Sequence, residues 1–290
     1  MLIYKNTFDN VKTIGFNFPV EDQYYADETT AIVADGITRD PIGITDFSSA
    51  TPKQFVEKYP RPSGAYLAAK EICDTFSKED GTLKEKLIKC NHSVKKLNEK
   101  YINKCDFLEN DYYGAVASCI RIHDDLLDYA YICDCGVIVY DFLGNIKFQT
   151  TDDKKVYSDF YIDMIKTDWS LPETRVTIRR DFRNNLNNIQ DDKCVSYGAL
   201  TGEDSASDFI RSGQIKLEKN DIVVVYSDGF SEFLHEQEFI SSILNFQKEK
   251  FEEYINMKSK EDYNKYGKEK TLDAMVDTGN MLKEPITGTP

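Results

Sequence analysis

Apolar positions recur along this chain with two different periods. From Ser63 onward, Tyr66, Leu67, Ala69, Ile72 and Phe76 fall on one face of a 3.6-residue period, with Ser63 placed to cap the helix they predict. After the break at Asp80-Gly81, Leu83, Leu87, Ile88, Val94, Leu97 and Ile102 mark a second stripe, with lysines on the opposite side. Further helices are expected over 52–59, 156–167 and 235–258. Elsewhere short apolar runs end in turn residues, the signature of strands. Residues 31–34 run into Asp35-Gly36. Runs 115–122 and 127–132 flank His123-Asp124-Asp125, and 137–140 and 146–149 flank Gly144-Asn145. Residues 176–178 and 271–276 are further strand candidates. Strands 215–217 and 222–226 lie on either side of Lys219-Asn220, the second ending at Ser227-Asp228-Gly229. The Asn- and Asp-rich stretch 184–192 reads as a surface loop. Strands come in runs and do not alternate with helices, so the pattern predicts an α+β fold with largely antiparallel sheets. There is no Gly-rich strand-to-helix phosphate loop and no internal repeat.

Composition narrows the function. The 290 residues carry 50 acidic and 36 basic side chains, a formal net charge of -14. That excess argues against general nucleic-acid binding and against docking on an anionic membrane, both of which need basic surface. No apolar run approaches the roughly 20 residues that span a bilayer. Met1 to Asn6 lacks the basic and apolar segments of a secretory signal, so a cytoplasmic location is expected. Seven cysteines, an odd number, are scattered along the chain and fit small buried apolar residues better than disulfides. Cys133 and Cys135 lack the second pair or nearby His that a zinc site requires.

The candidate chemistry lies in acids at strand ends. Ile32-Val33-Ala34-Asp35-Gly36 and Val223-Val224-Val225-Tyr226-Ser227-Asp228-Gly229 share one design, an apolar strand delivering Asp-Gly. A strand-end carboxylate is fixed by its sheet, and the glycine lets the backbone turn and its carbonyl approach a ligand. Such oxygens suit hard divalent cations. Glu21-Asp22 precedes the first of these segments, and Asp134 interrupts an otherwise apolar stretch. A buried Asp is costly without a partner or a cation.

Taken in order, Glu21-Asp22, Ala34-Asp35-Gly36, Gly114-Ala115-Val116-Ala117, Asp134 and Ser227-Asp228-Gly229 resemble the motifs of the metal-dependent protein phosphatase 2C family. The two helices before Gly114 and the lead-in from Gly198-Ala199-Leu200 to Asp221 resemble it as well. The resemblance implies a four-layer α/β/β/α sandwich with two central sheets, formed by a domain over 1–276, and a cytoplasmic signalling hydrolase. It implies a serine/threonine phosphoprotein phosphatase, with a phosphoprotein as partner. Two Mn²⁺ or Mg²⁺ ions would be held by Asp35, Gly36 and Asp228, with Glu21 and Asp22 on metal-bound waters and Asp134 beside Asp228 at an additional ion. A metal-activated water would then attack phosphorus in line.

Two positions depart from the family pattern. Its phosphate-binding Arg falls at Asn17, for which Arg39 is a candidate substitute. A metal-binding Asp is expected at Lys268, where the neighbouring Glu269, or Asp273 further on, would have to serve. The alternative reading is therefore a phosphatase-like regulatory or binding module with an impaired metal site. Val276-Asp277-Thr278-Gly279 resembles the active-site turn of aspartic peptidases, and 277–290 resembles the corresponding segment of the sporulation sigma-factor-processing peptidases. The 11 residues after Gly279 are too few to complete such a site, so 277–290 is expected to be a tail that is either disordered or loosely packed, or foreign to the domain.

Overall fold

The computed structural model describes residues 4–5, 20–37, 60–101, 112–154 and 180–266. The predicted helices at 52–59 and 156–167, the strands at 176–178 and 271–276, and the boundary at 276/277 lie outside them. So do Asn17, Arg39, Lys268, Glu269, Asp273 and the tail.

One sheet has five strands, β1 (Gln23–Ala26), β2 (Thr30–Gly36), β3 (Ala115–His123), β4 (Leu126–Ile132) and β9 (Arg211–Lys216), in that spatial order and antiparallel throughout. A second holds β10 (Ile222–Tyr226), β5 (Gly136–Tyr140) and β6 (Ile146–Gln149), also antiparallel. Helices α1 (Gly64–Phe76) and α2 (Leu83–Tyr101) pack on the first sheet. Helices α3 (Gln237–Leu244) and α4 (Lys248–Tyr266) follow the second.

The period-2 alternation of the strands builds the layers. Ile138 and Tyr140 of β5 and Val224 and Tyr226 of β10 face Phe239, Ile240, Phe251 and Ile255 of the helices. Val137, Val139, Val223 and Val225 point the other way, onto Ile120 and Leu127 of the five-stranded sheet. That sheet turns Ile32, Ala34, Ala117 and Ala130 toward Ile72, Phe76, Leu87 and Val94 of α1 and α2. The described residues thus form an α+β protein with two antiparallel sheets face to face and helices outside. Among them no helix is long and apolar enough to cross a membrane.

Local chemistry explains several element ends. Ser63 caps α1, its hydroxyl accepting from the Tyr66 amide at 3.1 Å. Thr82 and Glu85 form a capping box at α2: Glu85 accepts the Thr82 amide at 2.8 Å and the Thr82 hydroxyl accepts the Glu85 amide at 3.3 Å. Two expectations are corrected. The single helix expected over 235–258 is two helices, broken at Asn245, whose φ of -107° and ψ of 41° leave the helical region. The 184–192 stretch is only partly surface. Asn184 is buried, donating to the Ala199 carbonyl at 2.9 Å and accepting the Ala199 amide at 2.8 Å. Farther along, β7 (Ile189–Gln190) and β8 (Lys193–Cys194) close a small hairpin around Asp191 and Asp192, both at positive φ. Cys73, Cys90, Cys119, Cys133 and Cys135 are buried free thiols and Cys194 is half-buried, as expected of apolar fillers.

Candidate active site

Strand β2 brings Asp35 opposite Val116 and Gly36 opposite Ala115 of β3. Ile32 and Ala34 face the helices and Ala31 faces the other sheet, so alternation turns Asp35 into the gap between the sheets. Gly36 cannot be replaced cheaply: a Cβ there would lie 2.7 Å from the Ala65 carbonyl oxygen in the first turn of α1. The glycine lets helix and strand approach where Asp35 is presented.

The second sheet supplies Asp228, directly after β10. It is buried, while the neighbouring Gly229 is exposed and a Cβ added to it would touch nothing within 4 Å. The sheets are tied together here by the Ser227 hydroxyl, which donates to Asp22 Oδ2 at 2.8 Å. Asp35 stands within hydrogen-bonding reach of both Asp22 and Asp228. Glu21, also buried, accepts a hydrogen bond from the Ser63 hydroxyl at the N-terminus of α1, where the helix dipole favours its charge.

Asp134 arrives on the turn from β4 to β5. Cys133 adopts a φ of 67°, a left-handed conformation that is uncommon for a residue with a side chain. The Asp134 carboxylate meets the Lys154 ammonium at 2.7 Å, and the same ammonium lies 3.7 Å from Asp228 Oδ2. The surrounding segment is pinned. The Asp153 amide donates to the Cys133 carbonyl at 3.3 Å, Arg211 pairs with Asp153 at 3.0 Å, and the Lys154 amide donates to Asp152 at 2.9 Å.

The electrostatics are those of a crowded set of acids. Burial, then the charges of Asp22, Asp228 and Asp134, hold the Asp35 carboxyl well above its ordinary range. Burial also raises Asp22, against the hydrogen bonds from Ser227 and Asp35, and Asp134 adds to the rise. Cys135 lies in the field of the same acids. Burial and the charges of Asp35, Asp134, Asp22 and Asp228 push its thiol far up, so it is no thiolate nucleophile.

The structure therefore brings together Asp22, Asp35, Asp134 and Asp228, with Gly36 following Asp35 and with Glu21 engaged by Ser63, while Asn17, Arg39 and Glu269 lie outside the described residues. Lys154 was not foreseen; it is one lysine in a polar stretch, and nothing in its spacing marks it. Hard oxygen donors, buried beside one another and repelling, are the right chemistry for a divalent cation. As the side chains stand, however, no group of three or more His, Cys, Asp or Glu among the described residues is disposed to hold a metal ion. By residue type Asp22, Asp35 and Asp228 are suitable oxygen donors, while Asp134 is taken up by Lys154.

Fold and site together define an α+β protein whose paired antiparallel sheets present a buried aspartate cluster at their strand ends. No protein-family model and no curated protein matches the chain. Among solved structures it is similar to the Mycobacterium tuberculosis serine/threonine phosphatase PstP/Ppp, with 16% identity and a TM-score of 0.46 over 77% of this chain and 78% of that one. It is similar also to PppA of Pseudomonas aeruginosa, with 12% identity and a TM-score of 0.46 over 77% and 76% of the two chains. RsbX in complex with magnesium matches with 14% identity and a TM-score of 0.39 over 79% and 81%. These three TM-scores are all below 0.5.

Proposed function

We propose that this chain is a metal-dependent phosphomonoester hydrolase acting on phosphoserine and phosphothreonine in proteins, and that residues 1–276 make up its catalytic domain. The observation that carries the reading is the meeting of Asp35 from one sheet with Asp228 from the other, inside a buried acid cluster. The ordered motifs around those acids supply the substrate class. Asp22, Asp35 and Asp228, with the Gly36 carbonyl, would hold Mn²⁺ or Mg²⁺. When bound, such an ion supplies positive charge for phosphoryl oxygens and lowers the pKa of water.

The protein's own part is positional. Gly36 and α1 fix Asp35, Ser227 orients Asp22, and Ser63 orients Glu21. Arg39 and Asn17 remain the candidates for phosphate binding, and Glu269 for a further metal ligand.

Hydrolysis of para-nitrophenyl phosphate and of a phosphothreonine peptide, with Mn²⁺ and with chelator, tests the reading. Activity should require the metal and fall at least about 100-fold in Asp35→Asn and in Asp228→Asn. Activity that ignores both metal and substitutions overturns it. A second reading, a phosphatase-like binding module without catalysis, is favoured by Lys154 among the acids. It predicts no hydrolysis at millimolar Mn²⁺ by a protein that still binds phosphopeptide.

A further inference from the structure

We propose that Lys154 is the resident counter-ion of Asp134 and Asp228, and that it keeps a divalent cation from occupying that pair. The inference rests on reading the acid cluster as a cation site, and it changes how many ions the site takes. The Lys154 ammonium is 2.7 Å from Asp134 Oδ2 and 3.7 Å from Asp228 Oδ2. The three side chains are 15%, 8% and 6% exposed, so bulk water screens these charges weakly.

The lysine is also held in place by its neighbours. Asp153 is fixed on both sides, by the Cys133 carbonyl and by Arg211, and Asp152 takes the Lys154 amide. A tethered ammonium competes with a free ion at a high effective concentration. A protonated lysine has no lone pair for a metal, and a second cation beside it is repelled. An ion can enter between Asp134 and Asp228 only by displacing the side chain. Asp134, which the motif resemblance would make a ligand, is therefore a lysine partner in this fold.

Mn²⁺ titration of the full chain by calorimetry tests this without reference to turnover. Lys154→Met should bind one more Mn²⁺ per chain than the wild type, or bind its last ion at least tenfold more tightly. Lys154→Arg, which keeps the charge, should titrate like the wild type. Asp134→Asn gives an independent reading should the methionine variant not fold. It should keep the wild-type stoichiometry, because Asp134 holds no ion. Identical titrations of Lys154→Met and wild type, or loss of an ion in Asp134→Asn, overturn the role of Lys154 and leave the phosphatase reading standing. If neither the wild type nor the variants bind Mn²⁺, both proposals fall.

Discussion

Asp35 is buried with Asp22, Asp134 and Asp228 around it, and its carboxyl is held above its ordinary range by burial and their charges. Such an arrangement is kept at a cost in stability, because a carboxylate without a cation is poorly tolerated inside a protein. Removing the charge should relieve that cost. In chelator, Asp35→Asn is expected to be more stable than the wild type by about 1 kcal/mol or more in urea unfolding, even as it loses hydrolysis. A less stable variant would mean that Asp35 is already well compensated. At this scale the sequence was informative about acids and silent about their partners. Asp35 and Asp228 stand out because an ionisable residue ends a run of apolar ones. Lys154 does not, because its meaning depends on a turn 20 residues away that carries Asp134.

Among the elements, α1 and α2 were legible because amphipathic stripes and a serine cap are written locally. The break between α3 and α4 was not: Phe246, Phe251 and Ile255 continue an apolar rhythm through Asn245, and all three pack on the same core. Likewise 215–217 and 222–226 read as strands, but only pairing partners reveal that β9 and β10 join different sheets. The β1–β2 turn carries its own pH dependence. Asp27 accepts hydrogen bonds from the Thr29 and Thr30 amides at 2.9 and 2.8 Å and from the Thr30 hydroxyl at 2.7 Å. Burial raises its pKa, but these bonds together outweigh that and leave it well below the usual carboxylate range. Because the folded value is depressed, the stabilisation is fully present above the unfolded value of about 3.9 and is lost as pH falls through the folded one. Wild type should therefore lose more stability than Asp27→Asn when urea midpoints are followed from pH 5 down to pH 2. Parallel profiles would show that the turn contributes nothing.

For the whole molecule, the site exists because two sheets meet, each bringing part of it. The core between them, around Leu127, Val137 and Val139, separates the strand that ends at Asp35 from the strand that leads to Asp228, while the core under α1 and α2 lies on the outer face of the first sheet. Leu127→Ala and Ile72→Ala, both fully buried, should each cost about 2–5 kcal/mol. Only the first is expected to lower kcat in the folded protein, measured at a temperature where both variants remain native. Equal effects on kcat would argue that the site tolerates movement of the sheets.

The hydroxyl of Ser227 and the carboxylate of Asp22 are 205 positions apart in the chain. During synthesis the ribosome releases Glu21, Asp22 and Asp35 early, and the helices and hairpins that follow can form from local contacts. The partner hydroxyl and Asp228 emerge only with β10, so closing the site is a late, long-loop event. A nascent or truncated chain that stops before Ser227 already carries Glu21, Asp22, Asp35 and Asp134, but it lacks Asp228 and the hydroxyl that ties Asp22 to the second sheet.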